Sequence, residues 1–206
     1  MTLSRSTLAD WVGRIGVALE PLWLRLAELL RQGPVLHADE TPVQQLDPGK
    51  GKTKRAYLWA YRSNVLGSEP SIVVFDYQPG RGGKYVVEFL AGWQGALMVD
   101  EFAGYQVLFR GEVIELACMT HARRKFFDLH QANGSPVAAE ALRRIGELYA
   151  IEATAKGEAV EERARRPKET SQPLLEALHL WLLNTRRTVA DGGALARAID
   201  YSLRRW

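Results

Sequence analysis

Two aspartates close two short apolar runs, Val35-Leu36-His37-Ala38-Asp39 and Gly95-Ala96-Leu97-Met98-Val99-Asp100. A buried strand that ends in a carboxylate delivers a negative charge to the edge of a sheet. Two such strands side by side offer oxygen ligands to a hard divalent cation. Mg²⁺ keeps several waters and takes only one or two protein carboxylates alongside substrate phosphates. Two-metal phosphoryl transfer requires that arrangement. Glu40 and Glu101 directly follow the two aspartates. Alternation along a strand turns them to the opposite face, where solvated side chains are the default, with the alternative that Glu101 reaches the metal region if the strand ends at Asp100. His37 shares the face of Asp39, either as a partner of that carboxylate or as a satisfied core histidine.

The elements that must position these groups are readable from hydrophobic spacing. Residues 6–32 form one amphipathic helix, or two broken near Pro21, with Leu8, Trp11, Val12, Ile15, Leu19, Leu22, Leu26 and Leu29 at helical spacing. Gly33-Pro34 stops it. A strand covers 35–39, with a continuation past Pro42 to Leu46 left open. Residues 47–52 make a hairpin tip, 55–63 an aromatic-rich second strand, 64–70 a turn and 71–77 a third strand. A loop over 78–83 leads into a short helix, 84–93, and then the strand 96–100. A short helix over 104–109, a strand over 113–118 and a helix over 121–130 follow. Everything after Pro136 reads as helical: 138–156, a charge-dense connector over 158–168, a helix from Pro173 to Arg187, and a last helix over 194–206.

Three opening strands on short loops predict an antiparallel meander, and strands joined through helices predict parallel additions. The fold class is therefore α/β, a ribonuclease-H-like mixed sheet followed by an all-helical insertion. In that order of strands the first and fourth are neighbours, which brings Asp39 beside Asp100. The expected division is a helical lead-in over 1–33, a sheet-based core over 34–133 and a helical insertion over 134–206.

Composition narrows the classes. The chain has 206 residues, 47% hydrophobic and 25% charged, the balance of a globular domain with a real core. A net charge of +3 permits a polyanionic partner without demanding one. The single cysteine, Cys118, forbids an intrachain disulfide, so the cytoplasm is the expected compartment. The opening residues are polar and mixed rather than those of a signal peptide. No apolar run approaches the roughly 20 residues that span a bilayer, so no membrane partner is expected.

Several fragments, in order along nearly the whole chain, resemble the bacterial transposases typified by insertion sequence 66. They are Leu3-Ser4-Arg5-Ser6-Thr7-Leu8-Ala9-Asp10-Trp11, Asp39-Glu40-Thr41, Tyr57-Leu58-Trp59-Ala60-Tyr61 and Phe75-Asp76-Tyr77-Gln78-Pro79-Gly80-Arg81. Val99-Asp100-Glu101-Phe102-Ala103-Gly104-Tyr105, Cys118-Met119-Thr120-His121-Ala122-Arg123-Arg124-Lys125-Phe126 and Leu148-Tyr149-Ala150-Ile151-Glu152 extend the match. The resemblance implies a catalytic domain of the DDE type, in which three carboxylates hold two Mg²⁺ (or Mn²⁺) ions. Water, then a freed DNA 3′-hydroxyl, attacks phosphodiesters at transposon ends and in the target. It implies DNA as partner and a homo-oligomer in the full-length protein.

Asp39 and Asp100 match the first and second catalytic aspartates. The third carboxylate is expected in an Asn-Asn-containing, Glu-Arg-bearing segment that these residues do not contain, and the cysteine-rich zinc segment of the family is absent as well. The chain therefore reads as a central fragment, inactive alone. Two other readings stay open: a metal-dependent nuclease that uses Glu152 as its third ligand, and a non-catalytic DNA-binding or dimerisation remnant. Cys118 and His121 lack the two further ligands of a structural zinc site. The resemblance places such a pair near the scissile phosphate, against the alternative of a structural residue at a helix start. Arg123, Arg124 and Lys125, and Arg81 in its glycine-rich loop, are candidate phosphate contacts, which position DNA without reading its sequence. Lys50, Lys52, Lys54 and Arg55 decorate a hairpin that could lie along DNA.

Overall fold

The computed structural model describes residues 3–64, 70–155 and 160–206, with the side chains of 155 and 160–168 excepted. The expected turn over 64–70 therefore falls largely outside the described residues, as do positions 158 and 159 of the expected connector. By packing, the chain forms two compact units, Met1–Leu116 and Ala117–Trp206.

The first unit opens with helix α1, Arg5–Leu30, capped by Ser4, whose hydroxyl accepts from the Thr7 N–H. Pro21 lies inside it, and the helix continues through it. Strands β1 (Val35–Asp47), β2 (Lys52–Ser63) and β3 (Val73–Gln78) follow, then α2 (Gly83–Phe89), β4 (Ala96–Val99) and β5 (Ile114–Ala117). Two single 3₁₀ turns, Ala103–Tyr105 and Leu108–Arg110, stand where one short helix was expected. The sheet order is β3-β2-β1-β4-β5. β1 pairs antiparallel with β2, β2 antiparallel with β3, and β1 parallel with β4. The meander and the parallel addition are thus both present.

β1 runs unbroken through Pro42, which sits opposite Tyr57. Proline cannot donate to a ladder and belongs where one side of a strand is unpaired. β4 pairs with β1 only at 35–37, so beyond that point one edge of β1 is open. From there β1 and β2 continue as a two-stranded ribbon to the tip at 48–51. Along β1, Leu36, Ala38 and Glu40 are buried while Asp39 is exposed. The inner face packs with Trp59, Tyr61, Leu97 and Val99 against Val86, Phe89 and Leu90 and against Ala27 and Leu30 of α1. Tyr61 stacks on Phe89 with ring centroids 3.8 Å apart. The Trp23 indole N–H donates to the Phe75 carbonyl at 2.7 Å, which ties the C-terminal end of α1 to β3.

The second unit is helical: α3 (Met119–Asn133), α4 (Pro136–Ala155), α5 (Val160–Arg186) and α6 (Ala194–Leu203). Phe126, Ala138, Ala141, Ile145, Leu178, Leu182 and Ile199 form its core. α3 ends at Gly134, whose φ of 65° is the left-handed conformation that glycine adopts without strain. The expected connector is corrected in part: residues 160–168 are the opening turns of α5, which also passes through Pro173. Packing of Leu174, Leu175, Leu178 and Leu182 outweighs the local penalty of proline.

Candidate functional site

The parallel register between β1 and β4 matches Val35 with Ala96, Leu36 with Leu97 and His37 with Met98. Carried two residues further, it sets Asp39 beside Asp100. Register partners share a face of the sheet, so both carboxylates stand on the side away from the aromatic core. One oxygen of each lies within 4.8 Å of the other. Asp39 is exposed and Asp100 half-buried. The Glu40 N–H donates to Asp39 Oδ1 at 2.9 Å, and the Phe102 N–H donates to Asp100 Oδ1 at 2.8 Å. Each carboxylate is therefore oriented by main chain while remaining close to solvent. Hard oxygen donors at this spacing fit Mg²⁺ or Mn²⁺ completed by water and phosphate oxygens.

Glu40 corrects the sequence expectation. Alternation does turn it away from Asp39, but the face it reaches is the core, not water. Its side chain has no exposed surface. Both oxygens are satisfied: Arg81 Nε and Nη2 donate to Oε1 at 2.7 and 2.5 Å, and the Tyr105 hydroxyl donates to Oε2 at 2.6 Å. Burial pushes the Glu40 carboxyl above its usual range; the Tyr105 and Arg81 donors offset this only in part, and the charge of Asp100 adds to it. For Arg81, burial works against the charge, but the Glu40 carboxylate outweighs it and holds the guanidinium more firmly protonated. The Tyr105 hydroxyl is pushed far up, first by burial and then by the charge of Glu40.

Sequence reasoning missed Tyr105 as a member of this neighbourhood. The signal was a tyrosine closing the Gly104-Tyr105 end of the segment that begins with the second aspartate. Gly83, at the start of α2, is what lets that turn approach: a Cβ there would collide with the Gly104 carbonyl oxygen. Arg81, expected to face DNA, is 44% exposed and already shared between Glu40 and the Phe102 ring, 4.0 Å from its centroid. Glu101 is exposed, as expected. His37 is half-buried on the Asp39 face; burial, then the charge of Arg62, lowers its pKa and favours the neutral ring.

The remaining candidates belong to the helical unit. Cys118 is a free, half-buried residue at the start of α3. His121 occupies the first turn of α3, and its Nδ1 is buried without a hydrogen-bond partner among the described residues. Of the basic run, Arg124 is exposed, while Arg123 lies over the Phe127 ring at 5.9 Å and Lys125 over the Tyr201 ring at 4.2 Å. Glu152 is exposed on α4. On the ribbon, Lys50, Lys52, Lys54 and Arg55 are all exposed, with Lys50 3.2 Å from Asp47.

The site is thus two carboxylates brought together at one side of a mixed α/β sheet. The sequence matches the model of the Transposase IS66 family over residues 1–206, and the chain belongs to that family. It is similar to three curated proteins of Sinorhizobium fredii (strain NBRC 101917 / NGR234), each described as an uncharacterized protein. Identity to y4jD is 34%, over 100% of this chain and 42% of that protein. Identity to y4qI is 35%, over 98% of this chain and 40% of that protein. Identity to y4hP is 33%, over 99% of this chain and 40% of that protein. The chain thus spans about two fifths of the length of the relatives it matches. No helix among the described residues is long and apolar enough to cross a membrane.

Proposed function

We propose that residues 34–133 are the ribonuclease-H-like part of a DDE transposase and that Asp39 and Asp100 supply two of its three metal-binding carboxylates. The observation that carries this is that Asp39 on β1 and Asp100, the residue just after the neighbouring parallel strand β4, bring one oxygen each within 4.8 Å of the other. Bound between them, Mg²⁺ or Mn²⁺ supplies charge stabilisation and an activated oxygen nucleophile for phosphodiester cleavage and joining. The chain's own contribution is orientation: the Glu40 and Phe102 amides fix the two carboxylates. Arg124, the exposed part of Arg81, and Lys52, Lys54 and Arg55 on the ribbon are assigned to DNA phosphates, which fixes register rather than sequence. Arg123 and Lys125 belong to the same basic run with their charges held over aromatic rings. His121, Cys118 and Glu152 remain candidates on sequence grounds.

In the whole transposase this site cuts transposon ends and joins them to target DNA, in a soluble homo-oligomer acting in the cytoplasm. The 206-residue chain alone lacks the Glu-bearing segment that completes the ligand set and does not join strands. The test is a Mg²⁺-dependent strand-transfer assay on transposon-end DNA, with the chain alone and with a full-length family member. Joining is expected only from the full-length protein. Robust joining by the chain alone would refute the assignment of the missing ligand.

A further inference from the structure

Among the described residues, helix α1 is anchored to its unit through its C-terminal third, where Ala27 and Leu30 are buried and Trp23 is tied to β3. Before that, Leu8, Trp11, Val12, Ile15, Leu19 and Leu22 are 46–70% exposed. Their spacing is not that of scattered surface residues. Leu8, Val12, Ile15, Leu19 and Leu22 follow a strict four-three alternation over two heptads, and Leu26, next in the series, packs against the unit's own core. A 3.5-residue repeat describes a seam that packs against another helix, knobs into holes.

We propose that this seam is where a second copy of the chain docks, helix α1 against helix α1, antiparallel, about a two-fold axis beside residue 17. The residues beside the seam favour this pairing. At one flank Gly16 meets Gly16 of the partner subunit, and at the other Ala18 meets Ala18 of the partner subunit, so the helices approach closely at the centre. The core layers are then Ile15 on Leu19 of the partner subunit and Val12 on Leu22 of the partner subunit, each occurring twice by symmetry. At the ends Trp11 faces Arg25 of the partner subunit, an arrangement in which a guanidinium can lie on an indole. No seam-flanking position sets like charges opposite each other. A Cβ at Gly16 would meet nothing within 4 Å among the described residues, so this glycine leaves room for the close approach of a neighbouring helix. Covering the six exposed side chains removes about 500 Å² per copy, or about 1,000 Å² for the pair, the lower bound of a specific interface. A C2 interface of this kind is isologous and closes on itself.

Sedimentation of the 206-residue chain over a concentration series tests the proposal. The chain is expected to dimerise. The double variant Ile15→Glu/Leu19→Glu is expected to be monomeric with unchanged circular dichroism, because both positions are exposed in the single chain. Orientation is read in a Cys118→Ser background with a short bis-maleimide. Gly16→Cys is expected to cross-link into covalent dimers. Leu8→Cys is expected to stay uncross-linked, because antiparallel pairing holds the two positions about 27 Å apart along the axis. A chain that stays monomeric at every concentration overturns the proposal, and the face then belongs to a different partner. A dimer indifferent to the two glutamates, or efficient cross-linking through Leu8→Cys, overturns it equally.

Discussion

The two faces of strand β1 treat neighbouring carboxylates in opposite ways. Asp39 stands on the open face, oriented by one backbone amide, with Asp100 within 4.8 Å. Glu40, one residue on, is buried and saturated by Arg81 and Tyr105. The difference separates a ligand from a structural anion. A carboxylate turned toward solvent beside a second one can offer oxygens to a metal ion. A buried carboxylate whose two oxygens already accept from Arg81 and Tyr105 has little to offer a metal, and its removal leaves buried donors stranded.

The largest expected effect comes from the open face. In a full-length family member carrying the same residues, Asp39→Asn or Asp100→Asn should lower strand joining by a thousandfold or more, because metal-borne stabilisation is worth several kcal/mol. Unfolding free energy should change by less than about 1 kcal/mol, as at other surface substitutions. Glu40→Ala should do the reverse. It strands the Tyr105 hydroxyl and releases Arg81, and should cost about 3 kcal/mol in urea unfolding. If Glu40→Ala proves as stable as the parent chain, the contrast between the faces collapses.

Gly83→Ala tests the same anchor from a distance. Its methyl group would push the Gly104–Tyr105 turn away from Glu40, with an expected cost of about 2 kcal/mol from overpacking. The pH dependence is smaller and its sign is fixed. Burial raises the Glu40 carboxyl above its reference value of 4.5 in the folded chain. The folded form therefore holds the proton longer, and this stabilising contribution is present below 4.5 and is lost as pH rises through the folded value. Stability measured against pH should show that decline, and Glu40→Gln should flatten it. The smallest effect belongs to the ribbon. Lys52→Ala/Lys54→Ala should weaken binding to any duplex alike and reduce the salt slope by about 2.

Much of this contrast was legible in the residues. Apolar runs ending in Asp39 and Asp100 announced strands that deliver carboxylates, and the order of elements predicted their adjacency. Alternation correctly put Glu40 opposite Asp39, but alternation alone does not say which face is covered. That depends on α2 and the 3₁₀ turns folding over the sheet, a tertiary fact carried by Gly83 and Tyr105. The start of α5 was hidden for a similar reason. Dense charge over 158–168 read locally as a connector and Pro173 as a helix start, whereas the helix over 160–186 is held by leucines that pack in the helical core. The long β1 was open at Pro42 because the sequence does not reveal where β4 stops pairing.

The most direct test is cation binding itself, read by electron paramagnetic resonance of Mn²⁺ titrated into the 206-residue chain. Weak, saturable binding is expected in the parent and in Glu40→Gln, and its loss in Asp39→Asn and in Asp100→Asn. Binding that survives both aspartate substitutions, or that disappears only with Glu40, would contradict the assignment of the open face of β1 as the metal site.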